Sequence, residues 1–210
     1  MKHSSFAKPS RLPDTGAAQL LARAGDLEGL KAHAAAGLPL DEPDAQGDTA
    51  LLYAVFSCHR DTWHWLLDQG VNIRHANNKG DTVLHHMSRR FKSRQREEDD
   101  PLDDFRELIR RGADVNARNK EGVTPILMEA MRGTEFSTSQ GKRPRMAHMQ
   151  ILCELGADLV TPAYDGRTVP EFLGADGYQL IVAQREARTP AAPEPQPEGD
   201  GRRPRIRRRT

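Results

Sequence analysis

Histidines are the residues of this chain best suited to ligate a metal or act as a base. Eight are present. His59 and His64 are five residues apart, which does not place them on one face of a helix, and the adjacent His85 and His86 point in different directions. Zinc ligands normally occur in closely spaced pairs. The sequence therefore favours structural roles for these histidines and predicts neither a metal site nor a cofactor.

Cysteines and carboxylates do not form a catalytic pattern either. A nucleophile needs an oriented base, and the adjacency of Cys58 and His59 along the chain is not hydrogen-bond geometry. The acidic run at 97–100 is typical of a solvated loop or of the acidic start of a helix led by Pro101. Residues 174–177 lack the lysine and hydroxyl residue of a phosphate-binding loop. The sequence therefore predicts that this protein is not an enzyme.

The strongest signal is a repeated five-residue sequence motif that begins at Gly47, Gly80, Gly122 and, weakly, Gly166. Its threonines stand at positions 49, 82, 124 and 168, so the spacings are 33, 42 and 44 residues. A second motif, a leucine-rich helix end followed by glycine, comes after each of the first three copies of this motif, at 66–72, 108–116 and 151–158. Repetition at this period indicates a solenoid of small helical units.

The 33-residue step and its threonine-containing start resemble the ankyrin repeat, a turn followed by two antiparallel helices. The resemblance covers about residues 17–187, and Gly-Ala-Asp-Val-Asn at 112–116 is a strong local match. The family's proline after the threonine is kept only as Pro125, and its histidine only as His85. The resemblance implies an all-α solenoid of about four to five helix-turn-helix units, in which His85 hydrogen-bonds neighbouring turns.

The apolar spacing predicts the helices of these units. Residues 17–37 form a degenerate N-terminal cap, whose second helix ends at Gly37. In the second unit, Thr49 should cap the first helix with its side-chain oxygen, and Trp63 should lie in the core. Cys58 and Cys153 fall at helical positions, where we expect buried or half-buried thiols.

The last unit, from residue 163, is predicted to be the C-terminal cap. Gly174 and Gly177 should break its first helix. A closing amphipathic helix should follow over 178–187, with three side chains pointing inward: Leu180, Ile181 and Ala183.

Two units are longer than the 33-residue period, the third by 9 and the fourth by 11 residues. The additions fall between the two helices of each unit, within 89–100 and 132–145. Both loops should leave the solenoid on the same side, next to each other, and such insertions often mark a binding face. Residues 89–96 are rich in basic side chains and precede four acids. Either the basic and acidic charges of this loop neutralise one another, or the loop is a charged projection that steers a partner.

Composition and the termini set the remaining limits. The formal charge is +1, from 31 basic and 30 acidic residues, so global charge indicates neither nucleic acid nor membrane as a partner. We expect a flexible lead at 1–16, the repeat domain at 17–188 and a disordered Pro/Arg-rich tail at 189–210. The arginines of this tail either bind nucleic acid or an anionic surface weakly, or form a solvated end.

Neither a signal peptide nor a run of about 18 apolar residues is found. We therefore expect a monomer in the cytoplasm with no membrane span, with export by a route that needs no such signal as the alternative.

Ankyrin proteins usually meet their partners on the concave face, which consists of the turn tips and the exposed side of each first helix. The resemblance places these residues there: at the tips Gln46, Asp48, Lys79, Asp81, Lys120, Glu121, Tyr164 and Arg167; on the helices Phe56, Ser57, Arg89, Arg90, Met131 and Arg132; and in the inserted loops Lys92, Arg94 and Phe136. Aromatic residues, Met and Arg are enriched at interfaces, and Arg matches carboxylates in shape. We therefore expect a protein partner with an acidic surface.

The sequence thus predicts a non-catalytic protein–protein interaction module that binds one partner through the concave face and the inserted loops. A sharper alternative is an immunity or inhibitor protein that occludes the active site of a toxin-like enzyme. A third is a binder of nucleic acid or an anionic surface through the arginine-rich tail.

Overall fold

The helices follow one another in pairs along the chain. The structure is a computed structural model that describes residues 16–89, 102–135 and 146–188. Within these ranges it contains helices and no strand: α1 Ala17–Ala24, α2 Leu27–Ala35, α3 Ala50–Phe56, α4 Arg60–Asp68, α5 Val83–Arg89, α6 Leu102–Arg110, α7 Pro125–Glu135, α8 Met146–Glu154 and α9 Val169–Arg188. The prediction of an all-α solenoid of helix pairs is confirmed.

The helix pairs stack side by side. The first helices form a row in which α1, α3, α5, α7 and α9 each pack against the next, and α1, α3, α5 and α7 also pack against the second helix of their own unit. The core is therefore a thin ribbon that runs through the stack, as in other repeat proteins. Its largest fully buried side chains include Leu30, Leu51, Trp63, Leu84, Phe105, Ile126 and Leu127. The expected core position of Trp63 is confirmed.

Helix α6 shows how the sequence produces these elements. Its apolar residues stand three and four apart, so Phe105 and Leu108 share one buried face. Asp103 lies in its first turn and Arg110 in its last, where their charges interact favourably with the helix dipole. Amphipathic spacing and favourable terminal charges together make a nine-residue helix stable once its apolar face is covered.

The inserted segments lie between the helices of one unit. Helix α5 ends at Arg89 and α6 begins at Leu102, while α7 ends at Glu135 and α8 begins at Met146. The predicted common exit of the two loops concerns residues outside the described ranges. No helix in the described ranges has the length and apolarity needed to cross a membrane.

Thr49 does not cap α3 as predicted. It occupies the N-cap position, but its side chain makes no capping hydrogen bond, and its hydroxyl oxygen is buried without a partner. In the next unit the equivalent Thr82 hydroxyl lies 2.9 Å from Nδ1 of His85. Three residues after Thr49 the chain has Leu52 instead of a histidine. An apolar side chain offers the hydroxyl no partner.

Cys58 is also placed differently from its prediction. It is exposed and lies in the turn between α3 and α4, with a φ of 64°. Helix α3 ends two residues earlier, at Phe56, so Cys58 is not on a helix. Cys153 is buried within α8, as predicted.

The closing helix has a different buried face from the one predicted. Gly174 kinks α9 with a φ of 67°, as expected, but Gly177 lies within the helix and does not break it. Ile181 is buried, at 1% exposure, whereas Leu180 is 49% exposed and Ala183 is also exposed. The expectation of inward Leu180 and Ala183 is wrong because the buried stripe follows Tyr178, Ile181 and Val182, which are three and four residues apart.

His85 joins the third unit to the fourth. Its Nε2 lies 2.9 Å from the Val123 carbonyl, and its Nδ1 lies 3.1 Å from the Thr82 backbone N–H. A carbonyl only accepts, so Nε2 carries the proton and Nδ1 accepts from Thr82. The predicted structural role of His85 is confirmed. Burial, the largest influence, lowers the pKa of His85, although the Val123 carbonyl and the charge of Asp81 act in the opposite direction.

This lowered pKa predicts a pH-dependent stability. Between the pKa of the folded state and about 6.5, the value in the unfolded chain, the unfolded state binds a proton that the folded state does not. The free energy of unfolding should therefore fall as the pH drops from 7.5 to 5.5. His85→Gln should lower stability by about 1–3 kcal/mol at pH 7.5 through lost hydrogen bonds, and by less at pH 5.5.

Urea unfolding of both proteins at the two pH values measures this difference. His33→Gln, on the partly exposed side of α2, is the matched control. An equal loss of stability in His85→Gln at both pH values would contradict a neutral, proton-excluding His85.

Candidate functional site

The turn tips lie side by side in a fixed register. Each turn donates one backbone N–H to a carbonyl of the preceding turn: Asn78 to Gln46 at 2.9 Å, Lys120 to Lys79 at 2.9 Å, and Tyr164 to Glu121 at 3.0 Å. The turns approach so closely that a Cβ at Gly80 would lie 2.8 Å from the Lys120 nitrogen, and Gly80 has a φ of 79°. Glycine is therefore required at this position.

Buried asparagines shape the turns and tie them together. The side-chain oxygen of Asn77 accepts from the backbone N–H groups of Lys79 and Asp81, both at 2.9 Å, and its amide donates to Asp48 at 2.8 Å. Asn119 repeats this pattern one unit later, accepting from Glu121 and Val123 and donating to Asp81. Each asparagine therefore folds its own turn and binds it to the preceding one.

Asp81 is not at the surface, which contradicts its expected exposure at a turn tip. Its exposure is 1%, and its carboxylate accepts from Asn119 at 2.9 Å and from the Arg89 guanidinium at 2.7 Å. Asp81, the residue after the turn glycine, faces the next unit, where the Asn119 amide donates a hydrogen bond to it. Asp81 therefore holds the partly exposed Arg89 in place and does not itself reach a partner.

Asp48 occupies the equivalent position in the second unit and is partly buried. Its Oδ1 lies 2.8 Å from the Asn77 amide and 3.3 Å from Nε2 of His86. Burial raises the pKa of Asp48, but hydrogen bonds with His86 and Asn77, together with electrostatic interactions with His86 and Arg89, outweigh burial and lower it overall. The carboxylate therefore stays ionised well into the acidic range.

A groove lies between the turns of the second and third units. We call it the unit 2–3 groove; its volume is about 460 Å³. Predicted site residues line it: Gln46, Asp48, Phe56, Lys79 and Arg89. Phe56 is 39% exposed, and its ring meets that of His86 in a T-shaped contact, with centroids 6.2 Å apart.

Sequence reasoning missed the other residues that line this groove, among them Tyr53 and His86. The repeat pattern could have identified both residues. Tyr53 lies four residues after Thr49, and His86 lies four residues after Thr82, so the two hold the same position in successive units. Tyr53 also precedes Phe56 by three residues, which places both on one helix face.

Other predicted residues lie along the same row of tips. Lys120 and Glu121 are exposed on the third tip. Tyr164 is 73% exposed on the fourth, with the Arg118 guanidinium 5.1 Å from its ring centroid. Lys79 and Lys120 have no acidic partner among the described residues.

The remaining predicted residues are spread around this row. Ser57 is half-buried at the end of α3. Arg167 pairs with Asp165 and also contacts the Met131 sulfur at 3.7 Å. Predicted residues in the inserted segments, Arg90, Lys92, Arg94 and Phe136, lie outside the described residues, as does the side chain of Arg132.

Charges on the second helices are paired between units. Arg60 of α4 meets Asp104 of α6 at 3.1 Å, Arg111 meets Asp68 at 2.6 Å, and Arg106 of α6 meets Glu154 of α8 at 3.5 Å. The outer face thus neutralises much of its own charge, whereas the lysines of the tips have no acidic partner within the described ranges. In the described ranges, no three or more His, Cys, Asp or Glu side chains come together as a metal site.

Asn119 offers a test of the turn contacts. Asn119→Ala leaves the buried Val123 N–H, the partly buried Glu121 N–H and the Asp81 carboxylate without this partner, so we expect a loss of at least about 2 kcal/mol of unfolding free energy. Asn78→Ala removes an exposed hydrogen bond to Ala45 and should cost less than about 1 kcal/mol. Urea unfolding of both variants measures the difference, and equal losses would contradict the role assigned to Asn119.

Comparisons with known proteins agree with this architecture. The sequence profile of the ankyrin repeat matches residues 46–78, the second unit of the stack. A probable serine/threonine-protein kinase of Dictyostelium discoideum is 29% identical over 90 residues, which is 42% of this chain and 10% of the kinase. The chain thus spans about a tenth of that relative's length. The matched repeat and the helix pairs stacked on both sides of it give this chain the all-α architecture of an ankyrin-repeat solenoid.

Proposed function

We propose that this chain is a non-catalytic module that binds one protein partner through its concave face. The observation that carries this proposal is the row of turn tips, locked together by backbone hydrogen bonds and buried asparagines. Such a surface loses little conformational freedom on binding, and preorganisation of this kind increases affinity. It bears exposed aromatic and basic side chains, the types enriched at interfaces.

The charge distribution supports an acidic partner. Lys79 and Lys120 sit on adjacent tips, linked by the hydrogen bond from the Lys120 N–H to the Lys79 carbonyl. Neither has an acidic partner among the described residues, whereas arginines of the outer face pair with carboxylates of neighbouring helices. A carboxylate-rich partner surface would complement the tips and speed the encounter.

The proposal can be tested by capturing a partner from the native cell with full-length protein and with a version ending at residue 188. We expect one stoichiometric protein to be retained by both. Retention of nucleic acid by the full-length form alone would move the function to the tail instead. If the captured protein is an enzyme, inhibition of its activity by this chain would establish the inhibitor version.

Charge reversal at the tips should then weaken this complex. Lys79→Glu combined with Lys120→Glu should lower affinity by about tenfold or more, mainly through slower association, with a weaker dependence on salt. Lys31→Glu with Arg110→Glu makes the same change in net charge on other faces and should leave affinity near the wild-type value. Binding kinetics at two salt concentrations measure both. Equal weakening by the two pairs would contradict a site at the tips.

A further inference from the structure

We propose that the unit 2–3 groove binds one large apolar side chain of the partner, and that a carboxylate beside this side chain meets Lys79. This inference rests on the proposed protein-binding function and names the partner's chemistry at one place on that surface. Phe56, the floor of the groove, and Lys79, on its rim, are the residues that determine specificity.

The floor presents an aromatic ring that is already held in position. Phe56 is one of the few large apolar side chains exposed in the described ranges. Its ring is fixed against His86, with an interplanar angle of 82°, and Tyr53 lies on the same side of α3. A ring held in this way binds an apolar group at little cost in conformational entropy.

The polar side chains of Tyr53, Asp48 and Asn77, which line the groove, are already engaged within the protein. The Tyr53 hydroxyl donates to Asp44 at 2.8 Å. Asp48 accepts from Asn77, and the Asn77 oxygen accepts from its own turn. A polar side chain inserted here would have to compete with these bonds, since a buried polar group needs a hydrogen-bond partner. An apolar side chain makes no such demand.

The rim adds a preference for negative charge. Lys79 is exposed on one side without an acidic partner in the described ranges, and Asp81 holds Arg89 on the other. Lys120, on the next tip, adds a second positive charge. A basic residue beside the inserted side chain would meet these cations, whereas a carboxylate would be attracted to them.

The size of the groove suits an inserted side chain. Its volume of about 460 Å³ lies within the range of about 300–1,000 Å³ that holds small ligands. An aromatic or large aliphatic side chain with its flanking backbone fits such a space. The partner should therefore present this side chain on a protruding loop or an extended segment.

A random 12-residue peptide library displayed on phage and selected on the full-length protein tests this proposal. We expect the enriched peptides to share an aromatic or large aliphatic residue with Asp or Glu within two positions. Synthetic copies of these peptides should lose affinity by about tenfold or more on Phe56→Ala, which corresponds to a hot-spot contact. Leu180→Ala, a matched exposed apolar truncation on α9, should leave affinity unchanged.

Lys79→Glu provides a second variant, because Phe56→Ala also removes the contact with His86. This exposed substitution should weaken the acidic peptides, and replacing the peptide's Asp or Glu by Lys should restore their binding to it. Circular dichroism and unfolding midpoints check that each variant is folded.

The proposal is overturned if no peptide is enriched, if the enriched peptides are basic, or if they bind Phe56→Ala and Lys79→Glu as tightly as wild type. A cellular partner that is weakened by reversal of Lys79 and Lys120 but not by Phe56→Ala would overturn this inference alone. Failure to capture any partner from the cell would instead overturn the proposed function.

Discussion

The asparagine-to-aspartate hydrogen bond between successive turns is the side-chain contact that fixes the second, third and fourth units' turns against one another. Its residues follow a pairing rule along the chain. Asn77 donates to Asp48, and Asn119 donates to Asp81. In the last unit the asparagine position is Ala163 and the preceding acceptor position is Val123, so donor and acceptor are lost together. No buried polar group is then left without its counterpart, an outcome that would cost about 1–3 kcal/mol.

This inward use of carboxylates also sets the charge of the surface. Asp48 and Asp81 direct their oxygens towards asparagine, histidine and arginine donors inside the stack. The acidic charge of two turns is thereby partly withdrawn from the tips, while Lys79 and Lys120 stay exposed. The same bonds that hold the turns together leave two exposed lysines on adjacent tips, with Lys120 next to the exposed Glu121.

The family resemblance implied the contact of His85 with a neighbouring turn, and repeat spacing was enough to predict the architecture and the core position of Trp63, because both depend on a residue's place within its own unit. It failed where a neighbouring unit decides the outcome. Asp81 faces inward because Asn119 of the next unit donates to it. Leu180 is exposed because α9 packs along a stripe set by Ile181. The sequence pattern of a single unit does not contain information about such contacts.

Comparison of equivalent positions in successive units explains why the groove between the second and third units differs from the surface between the third and fourth. Seven residues after the turn threonine the successive units carry Phe56, Arg89 and Met131. At this position the second unit offers an aromatic floor, the third a cation held by Asp81, and the fourth a flexible thioether. At this helix position, an aromatic ring with Lys79 and Arg89 beside it occurs where the second unit meets the third. The repeats thus keep their turn contacts and carry different side chains at this helix position, which is the basis of the proposed partner site.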